Sequence, residues 1–151
     1  MDVLLAELKR LLTSHTTRIA YQAFRDEAEP NTIPLLKTSQ PKKIKTLPQS
    51  QTIEPITLAK ELEKACVTHQ THILIPGRAF DLTGTRHGRG FGWYDRLLAH
   101  LPKDILRIGI AQHDQLHTAP LRRQPWDEPV DWLIYEQDSK WKVHKTHARE
   151  P

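Results

Sequence analysis

One stretch of the sequence, residues 73–96, constrains the fold more than any other part of this chain. It begins within an almost continuous apolar run over 72–75, which is typical of a buried strand with both faces covered. Pro76-Gly77 predicts a tight turn after that strand, and a helix is predicted over 94–101. A buried strand followed by a helix indicates a parallel sheet with helices packed against it.

The remainder of the chain alternates between helical and strand patterns, which favours the same fold class. Helices are predicted over 2–14, 31–37 and 55–69, and strands over 18–24, 43–47, 106–111, 130–135 and 140–144. This alternation predicts a single-domain, three-layer α/β fold with a mostly parallel sheet and the last strand at an edge. We expect that domain to span residues 1–145, and the polar residues 146–151 to form a frayed tail.

Between the turn and the predicted helix lies a loop with glycine at every second position, Gly88, Gly90 and Gly92. Backbone amides in such a loop can converge on an anion because no Cβ atoms obstruct them, and the following helix directs its positive end to the same place. Arg86 and Arg89 would add positive charge there. The spacing matches neither a dinucleotide fingerprint nor a P-loop. The glycine loop, the two arginines and the helix start together predict a nucleotide-phosphate site beyond the carboxyl ends of the strands. A flexible hairpin would show the same glycine spacing.

Composition excludes several other classes of protein. No apolar run is long enough to cross a membrane, and the N-terminus lacks the apolar core of a signal peptide, so we expect a cytoplasmic protein. The single cysteine, Cys66, rules out a disulfide framework. The net charge of +4 suits an anionic ligand, whereas the lack of a concentrated basic arm makes nucleic-acid binding the weakest alternative. We expect a monomer or a weak homo-oligomer.

A longer pattern surrounds the glycine loop. Its fixed residues are Pro76, Gly77, Phe80, Asp81, Gly84, Arg86, Gly88, Gly90, Gly92, Tyr94, Asp95 and Arg96. Together they resemble the signature of the 5-formyltetrahydrofolate cyclo-ligase family (methenyltetrahydrofolate synthetases), which reads close to PG-x-x-FD-x-x-G-x-R-x-G-x-G-x-GYYDR. Trp93 replaces the first tyrosine of that signature. The resemblance covers about residues 17–136 and is strongest over 73–96.

The resemblance implies a Rossmann-like, CoA-transferase-like α/β fold and an enzyme that uses ATP and Mg²⁺. Members of the family close the N5-formyl group of 5-formyltetrahydrofolate onto N10, which gives 5,10-methenyltetrahydrofolate. A formamide oxygen is a poor leaving group, so it must be phosphorylated before N10 can displace it. That step requires a γ-phosphoryl group whose charge is neutralised by metal, arginine and backbone amides.

The resemblance also implies a role for each residue of the site. The implied ATP-binding residues are Arg86, His87, Gly88, Arg89, Gly90, Phe91, Gly92, Trp93 and Tyr94. The implied folate-binding residues are Glu27, Arg89, Phe91 and Trp93. Asp95 and Asp127 match positions that hold Mg²⁺, and Arg89 and Asp95 are the implied catalytic residues.

Structural roles are the alternative explanation for several of these residues. Asp95 could be an acid that the helix dipole favours, and Asp127 could be an ordinary turn residue. Trp93 could belong to the core, and Glu27 could be a solvated acid in a turn. The sequence alone leaves both explanations open.

The resemblance further implies an N-terminally shortened member of the family. Typical members have a basic helix with a Lys-x-x-x-Arg pair that contacts ATP, and this chain has no counterpart of it. Lys42, Lys43 or Lys45 are the candidates to replace that contact. Two functions therefore remain: an ATP-dependent cyclo-ligase, or a non-catalytic relative that binds a nucleotide or a folate. Retention of the loop, Asp95 and Asp127 favours the enzyme.

Overall fold

The computed structural model describes residues 2–49 and 52–150 of the chain. Its helices are α1 (Val3–Ser14), α2 (Pro34–Thr38), α3 (Pro55–Ala65) and α4 (Trp93–His100), with short 3-10 turns at Pro30–Thr32 and Thr68–Gln70. Its strands are β1 (Thr17–Tyr21), β2 (Lys43–Leu47), β3 (Thr71–Ile75), β4 (Ala79–Asp81), β5 (Arg86–His87), β6 (Leu106–Ala111), β7 (Leu116–His117), β8 (Trp132–Gln137) and β9 (Lys140–Lys145). In this part of the chain, no helix combines the length and the hydrophobicity that a bilayer crossing requires.

Six of these strands form one sheet in the order β2-β1-β3-β6-β8-β9. Neighbouring strands run parallel except β9, which lies at an edge and runs antiparallel to β8. The α/β fold class, the mostly parallel sheet and the edge position of the last strand are therefore confirmed.

Helices cover both faces of the sheet, which produces three layers. Alternate residues of β3 separate the two faces, because side chains of a strand point to opposite sides in turn. Ile73 and Ile75 lie in a core with Leu62 of α3, whereas Leu74 lies in a core with Leu8 of α1. Since both faces of this strand are buried, its apolar run is continuous rather than alternating.

Helix α3 begins where the sequence predicts and ends earlier. The Glu54 carboxylate caps it by accepting from two backbone amides at 3.0 and 2.8 Å. Pro55 occupies the first turn, where the N–H that proline lacks would have no helical partner. The prediction extends this helix to residue 69, but it ends at Ala65 because Cys66 already has an extended backbone, with φ −143° and ψ 158°.

A second sheet of three short strands, in the order β5-β4-β7, is absent from the sequence prediction. Strands of two or three residues are too short to show an alternating pattern. Asp81, at the end of β4, ties this sheet to its loops by accepting from the amides of Thr83, Thr85 and Leu121 at 2.9, 3.2 and 2.7 Å. The sheet carries the chain from the end of β3 to the glycine loop.

The end of the chain packs against the sheet, which differs from the frayed tail expected from its polar sequence. The Thr146 hydroxyl donates to the carbonyl of Val130 at 2.6 Å. Arg149 donates two hydrogen bonds of 2.7 Å to the carboxylate of Asp131. A bidentate pair of this kind can order a polar terminus. Pro151 lies outside the described residues.

A buried polar network joins β1 to β3. Arg18 of β1 donates from Nε to Nε2 of His72 at 2.8 Å. Its terminal nitrogens donate to the carbonyls of Leu36 and Ser39 at 3.0 and 3.1 Å. Since arginine can only donate, the proton of neutral His72 lies on Nδ1, which donates to Nδ1 of His15 at 2.9 Å. Burial lowers the pKa of Arg18 to about 10, so the guanidinium stays charged at neutral pH.

This network predicts a loss of stability in acid. Burial, and then the charge of Arg18, lower the pKa of His72 well below its ordinary value of 6.5. The unfolded chain takes up a proton near pH 6.5 that the folded protein excludes, so the free energy of unfolding is highest above this pH. Below it, one histidine can lower that free energy by up to about 1.4 kcal/mol per pH unit.

Urea denaturation on either side of this pH measures the effect. His72→Gln keeps an acceptor for Arg18 and cannot be protonated in this range, so we expect its stability to depend less steeply on pH. An identical pH dependence in wild type and variant would show that His72 is not the responsible group.

Candidate functional site

Most of the residues that the motif implicates line one cavity of about 560 Å³. Its wall consists of Arg86, His87, Gly88, Arg89, Gly90, Phe91, Gly92, Trp93, Tyr94, Asp95, Arg96, Ala99, His100, Trp126 and Asp127. Glu27 instead lines a second cavity, of about 20 Å³, which shares five wall residues with the first: Arg86, Gly88, Arg89, Trp93 and Tyr94. The fold therefore brings Asp127 next to the glycine loop and places Glu27 in a separate compartment beside it.

Gly92 and Gly88 favour glycine for different reasons. Gly92, which precedes the first turn of α4, has a left-handed backbone with φ 65°. A Cβ atom on Gly88 would lie 2.8 Å from Nη2 of Arg86, so a side chain there would collide with the guanidinium. At Gly92 no side chain caps α4, so the first amides of the helix can donate to an anion.

Arg86 supports the loop from beneath rather than facing the solvent. Only 8% of this residue is exposed, and its Nε donates to the carbonyl of Pro76 at 2.6 Å. Its guanidinium carbon lies 4.9 Å from the ring centre of Tyr94. Burial lowers the pKa of Arg86. The arginine thus fixes the start of the loop against α4, and its direct contact with a phosphate remains a prediction.

Arg89 joins the loop to the turn that follows β1. Its Nη2 is hydrogen bonded to Asp26 and lies 3.5 Å from Oε2 of Glu27. Its guanidinium stacks over the ring of Phe24 at 4.2 Å. The hydrogen bond from Arg89 lowers the pKa of Asp26. Within the described residues, Nε of Arg89 is buried without a hydrogen-bond partner, so this donor is unsatisfied in the absence of a ligand.

Glu27 is a buried acid rather than a solvated one, since only 7% of its side chain is exposed. Its Oε1 accepts from the amide of Phe24 at 2.9 Å, and its own amide donates to the carbonyl of Phe24 at 3.0 Å. This reciprocal pair closes a turn, which explains why β1 ends at Tyr21 rather than at residue 24 as predicted. The carboxylate lines the smaller cavity together with Gln49.

Trp93 belongs to the hydrophobic core as well as to the cavity wall. Its Nε1 donates to the carbonyl of Ile53 at 2.8 Å. Its ring meets that of Tyr94 edge-on, with centres 5.0 Å apart, and both residues are buried. A core role therefore accounts for this tryptophan, and its contact with a folate remains a prediction.

Three residues that the resemblance assigns to the ATP site remain: His87, Gly90 and Phe91. Nε2 of His87 donates to the carbonyl of Arg122 at 2.6 Å, which ties β5 to a distant loop. Gly90 has φ 94° and open space where a side chain would be. The Phe91 residue is 72% exposed, so one face of an aromatic ring is accessible at the cavity.

Asp95 and Asp127 form a pair of carboxylates on the wall of the larger cavity. Asp95 accepts from the amide of Glu128 at 3.0 Å, and Asp127 accepts from the amide of Gln124 at 2.8 Å. Burial raises the pKa of Asp95, and the charge of Asp127 acts in the same direction. A divalent cation would relieve that repulsion. In the part of the chain that is described, no three His, Cys, Asp or Glu side chains form a metal site.

Four further residues of the cavity wall have no role predicted from the sequence: Arg96, Ala99, His100 and Trp126. Arg96 donates from Nη1 to the carbonyl of Phe91 at 2.7 Å, and its own carbonyl accepts from Nδ1 of His100 at 2.9 Å. Helical spacing from the motif residue Arg96 would have indicated His100, because residues four apart share one face. Trp126 has no comparable signal beyond its position next to Asp127.

The candidate lysines lie away from both cavities. Lys43 pairs with Thr17 at the beginning of β1, and parallel strands share one direction, so Lys42 and Lys43 are at the end of the sheet opposite the loop. Nζ of Lys43 donates to a carbonyl at the end of α3 at 3.0 Å. Lys45 lies in the middle of β2 and lines neither cavity. The guanidinium cations on the wall of the larger cavity come from Arg86, Arg89 and Arg96 instead.

Comparisons of the sequence with known proteins agree with the motif. A sequence profile described as the 5-formyltetrahydrofolate cyclo-ligase family matches residues 3–136. A curated relative, the 5-formyltetrahydrofolate cyclo-ligase of Mycoplasma genitalium, is 42% identical over 60 residues. That alignment covers 40% of this chain and 35% of the relative, so it spans about a third of the length of that protein.

The fold is similar to two solved structures. A 5,10-methenyltetrahydrofolate synthetase from Mycoplasma pneumoniae superposes with a TM-score of 0.51 at 22% identity, over 88% of this chain and 87% of that one. The 5,10-methenyltetrahydrofolate synthetase of Aquifex aeolicus gives a TM-score of 0.57 at 23% identity, over 98% and 80% of the two chains. At these identities the superpositions establish a common fold.

Proposed function

The chain belongs to the 5-formyltetrahydrofolate cyclo-ligase family, and from that premise we propose that it cyclises 5-formyltetrahydrofolate to 5,10-methenyltetrahydrofolate with ATP and Mg²⁺. We further propose that residues 1–145 act as a single domain. The observation that carries the proposal is the pair of cavities that share five wall residues, Gly88 and Arg89 among them. Two substrates that exchange a phosphoryl group need adjoining sites with a common boundary.

The larger cavity suits the nucleotide. The glycine loop and the amino end of α4 can donate amides to the phosphates, and Arg96 adds a cation on the same wall. Asp95 and Asp127 would hold Mg²⁺ next to these groups. When bound, Mg²⁺ would neutralise the charge on the phosphoryl group that is transferred.

The smaller cavity suits the pterin end of the folate. The buried carboxylate of Glu27 can accept hydrogen bonds from ring N–H groups, and Phe24 and Tyr21 offer flat apolar surfaces. A volume of about 20 Å³ is smaller than a pterin ring. Folate entry therefore requires Arg89 and Phe24, which stack on each other at 4.2 Å, to separate.

Arg89 is the residue on which the chemistry depends. It lines both cavities and has an unpaired donor at Nε, so it could donate to the oxygens of the phosphoryl group during transfer, and to the phosphate as it leaves. The formyl oxygen attacks the γ-phosphorus, ADP leaves, and N10 then attacks the activated carbon. Inorganic phosphate departs with the N10 proton as the C–O bond breaks, which leaves the methenyl bridge.

A non-catalytic role is the second candidate, and one observation favours it. Arg89 is already paired with Asp26 and Glu27, and no lysine lines the larger cavity within the described residues. A site with fewer available cations would stabilise the transferring phosphoryl group less well. Such a protein would bind a nucleotide or a folate without converting them.

Purified protein, MgATP and 5-formyltetrahydrofolate separate the two candidates. We expect the absorbance of the methenyl product to appear together with an equal amount of ADP, and neither to form without Mg²⁺. Thermal stabilisation by MgATP without any product would favour the non-catalytic binder instead. ADP release that does not depend on the folate would contradict the proposed reaction.

A further inference from the structure

Trp126 is unusual among the four tryptophans of the chain, all of which lie in the described residues. It is 68% exposed, whereas Trp93 and Trp132 are buried and Trp141 is partly buried. An indole gains burial energy when it is removed from water, so an exposed one on a cavity wall offers a flat surface that a ligand can cover.

The exposure of Trp126 is not a consequence of a loose loop. The amide of Asp127 donates to the carbonyl of Gln124 at 3.0 Å, and the Asp127 carboxylate accepts from the amide of Gln124 at 2.8 Å. These two hydrogen bonds close a turn that contains Trp126. The indole is thus presented from a fixed backbone, which lowers the entropy lost when a ligand stacks on it.

The position of Trp126 relative to the other groups of the cavity indicates what kind of ligand covers it. The glycine loop and Arg96 supply amides and a cation for phosphates, and Asp127 is the next residue in the chain. Phe91, which is 72% exposed, adds a second accessible aromatic ring to the same wall. A cavity that combines an anion-binding loop with exposed flat rings matches a molecule that has phosphates at one end and a planar base at the other.

We propose that Trp126 stacks on the purine base of the nucleotide, an inference that rests on the proposed function because it takes the larger cavity to be the nucleotide site. The base contributes binding energy through its π-face, while the loop and the carboxylates bind the triphosphate. Stacking of one base on one aromatic side chain changes affinity by about tenfold or more. Trp126 then contributes to the affinity for the base of the nucleotide and not to the affinity for its phosphates.

The test compares two ligands that differ in the base. Calorimetry measures the Kd of MgATP and of magnesium tripolyphosphate for wild type, Trp126→Ala and Trp126→Phe. We expect Trp126→Ala to weaken MgATP by about tenfold or more and tripolyphosphate by less than about twofold. Trp126→Phe keeps an aromatic face, so it should retain most of the affinity for MgATP.

Trp141→Ala is the matched control, because Trp141 is a partly exposed tryptophan on the edge strand and lines neither cavity. We expect it to leave both Kd values unchanged. If the wild-type protein binds both ligands and Trp126→Ala weakens both equally or weakens neither, the stacking role is wrong and the proposed function is not affected. Wild-type protein that binds neither ligand overturns the proposed function and the stacking role together.

Discussion

Replacing Asp95 by asparagine is expected to lower kcat/KM for the cyclisation by about 10²–10³-fold while the fold stays intact. Asparagine retains the oxygen that accepts from the amide of Glu128 at 3.0 Å, so the contact between α4 and the loop before β8 survives. It loses the negative charge that, with Asp127, would hold Mg²⁺ against the phosphates. The rate of methenyl formation, the Kd of MgATP and a thermal melt together measure this effect.

Asp114→Asn is the control for the Asp95 substitution, because Asp114 is exposed and lines neither cavity. Asp114→Asn removes one negative charge, as Asp95→Asn does, and we expect its activity to stay within about twofold of wild type. If Asp95→Asn binds nucleotide with an unchanged dependence on Mg²⁺, the metal role of Asp95 is wrong, whatever happens to the rate.

The main sheet follows from the sequence because its signals are local and long. Strands β3, β6 and β8 are five or six residues long and mostly apolar, and the amphipathic pattern of α1 extends over twelve residues, which is enough for each type of element to be recognised. The small sheet has strands of two or three residues, and contacts that are distant in sequence hold it together. An example is the hydrogen bond from Leu121 to Asp81. No local pattern predicts such contacts.

The candidate site likewise has a part that local sequence predicts and a part that depends on contacts between distant segments. The loop glycines and Asp95 lie within one motif, so the sequence could place them together. The burial of Arg86 depends on the carbonyl of Pro76 and the ring of Tyr94, which only the fold brings near it. The pairing of Arg89 with Asp26 is likewise a contact between separate segments, and charge alone does not predict it.

The largest effect on stability is expected from Arg18→Ala. Arg18 donates to carbonyls at the end of α2, Leu36 and Ser39, and to His72, so its cation caps a helix C-terminus inside the protein. Removing it leaves three buried acceptors without donors and opens a cavity. We expect the free energy of unfolding to fall by about 3–5 kcal/mol, measured by urea denaturation at neutral pH.

Two further variants separate the hydrogen bonds of Arg18 from its charge. Arg10→Ala removes an exposed arginine from α1 and should change stability by less than about 0.5 kcal/mol. Arg18→Lys keeps a cation but cannot reproduce the planar fork that reaches three acceptors, so we expect an intermediate loss. A loss below about 1 kcal/mol for Arg18→Ala would mean that water replaces the missing donors.

Since Arg18 lies near the start of β1, away from the glycine loop, the folded fraction of each variant should bind MgATP with wild-type affinity. A weakened Kd there would instead show that the two ends of the sheet are coupled.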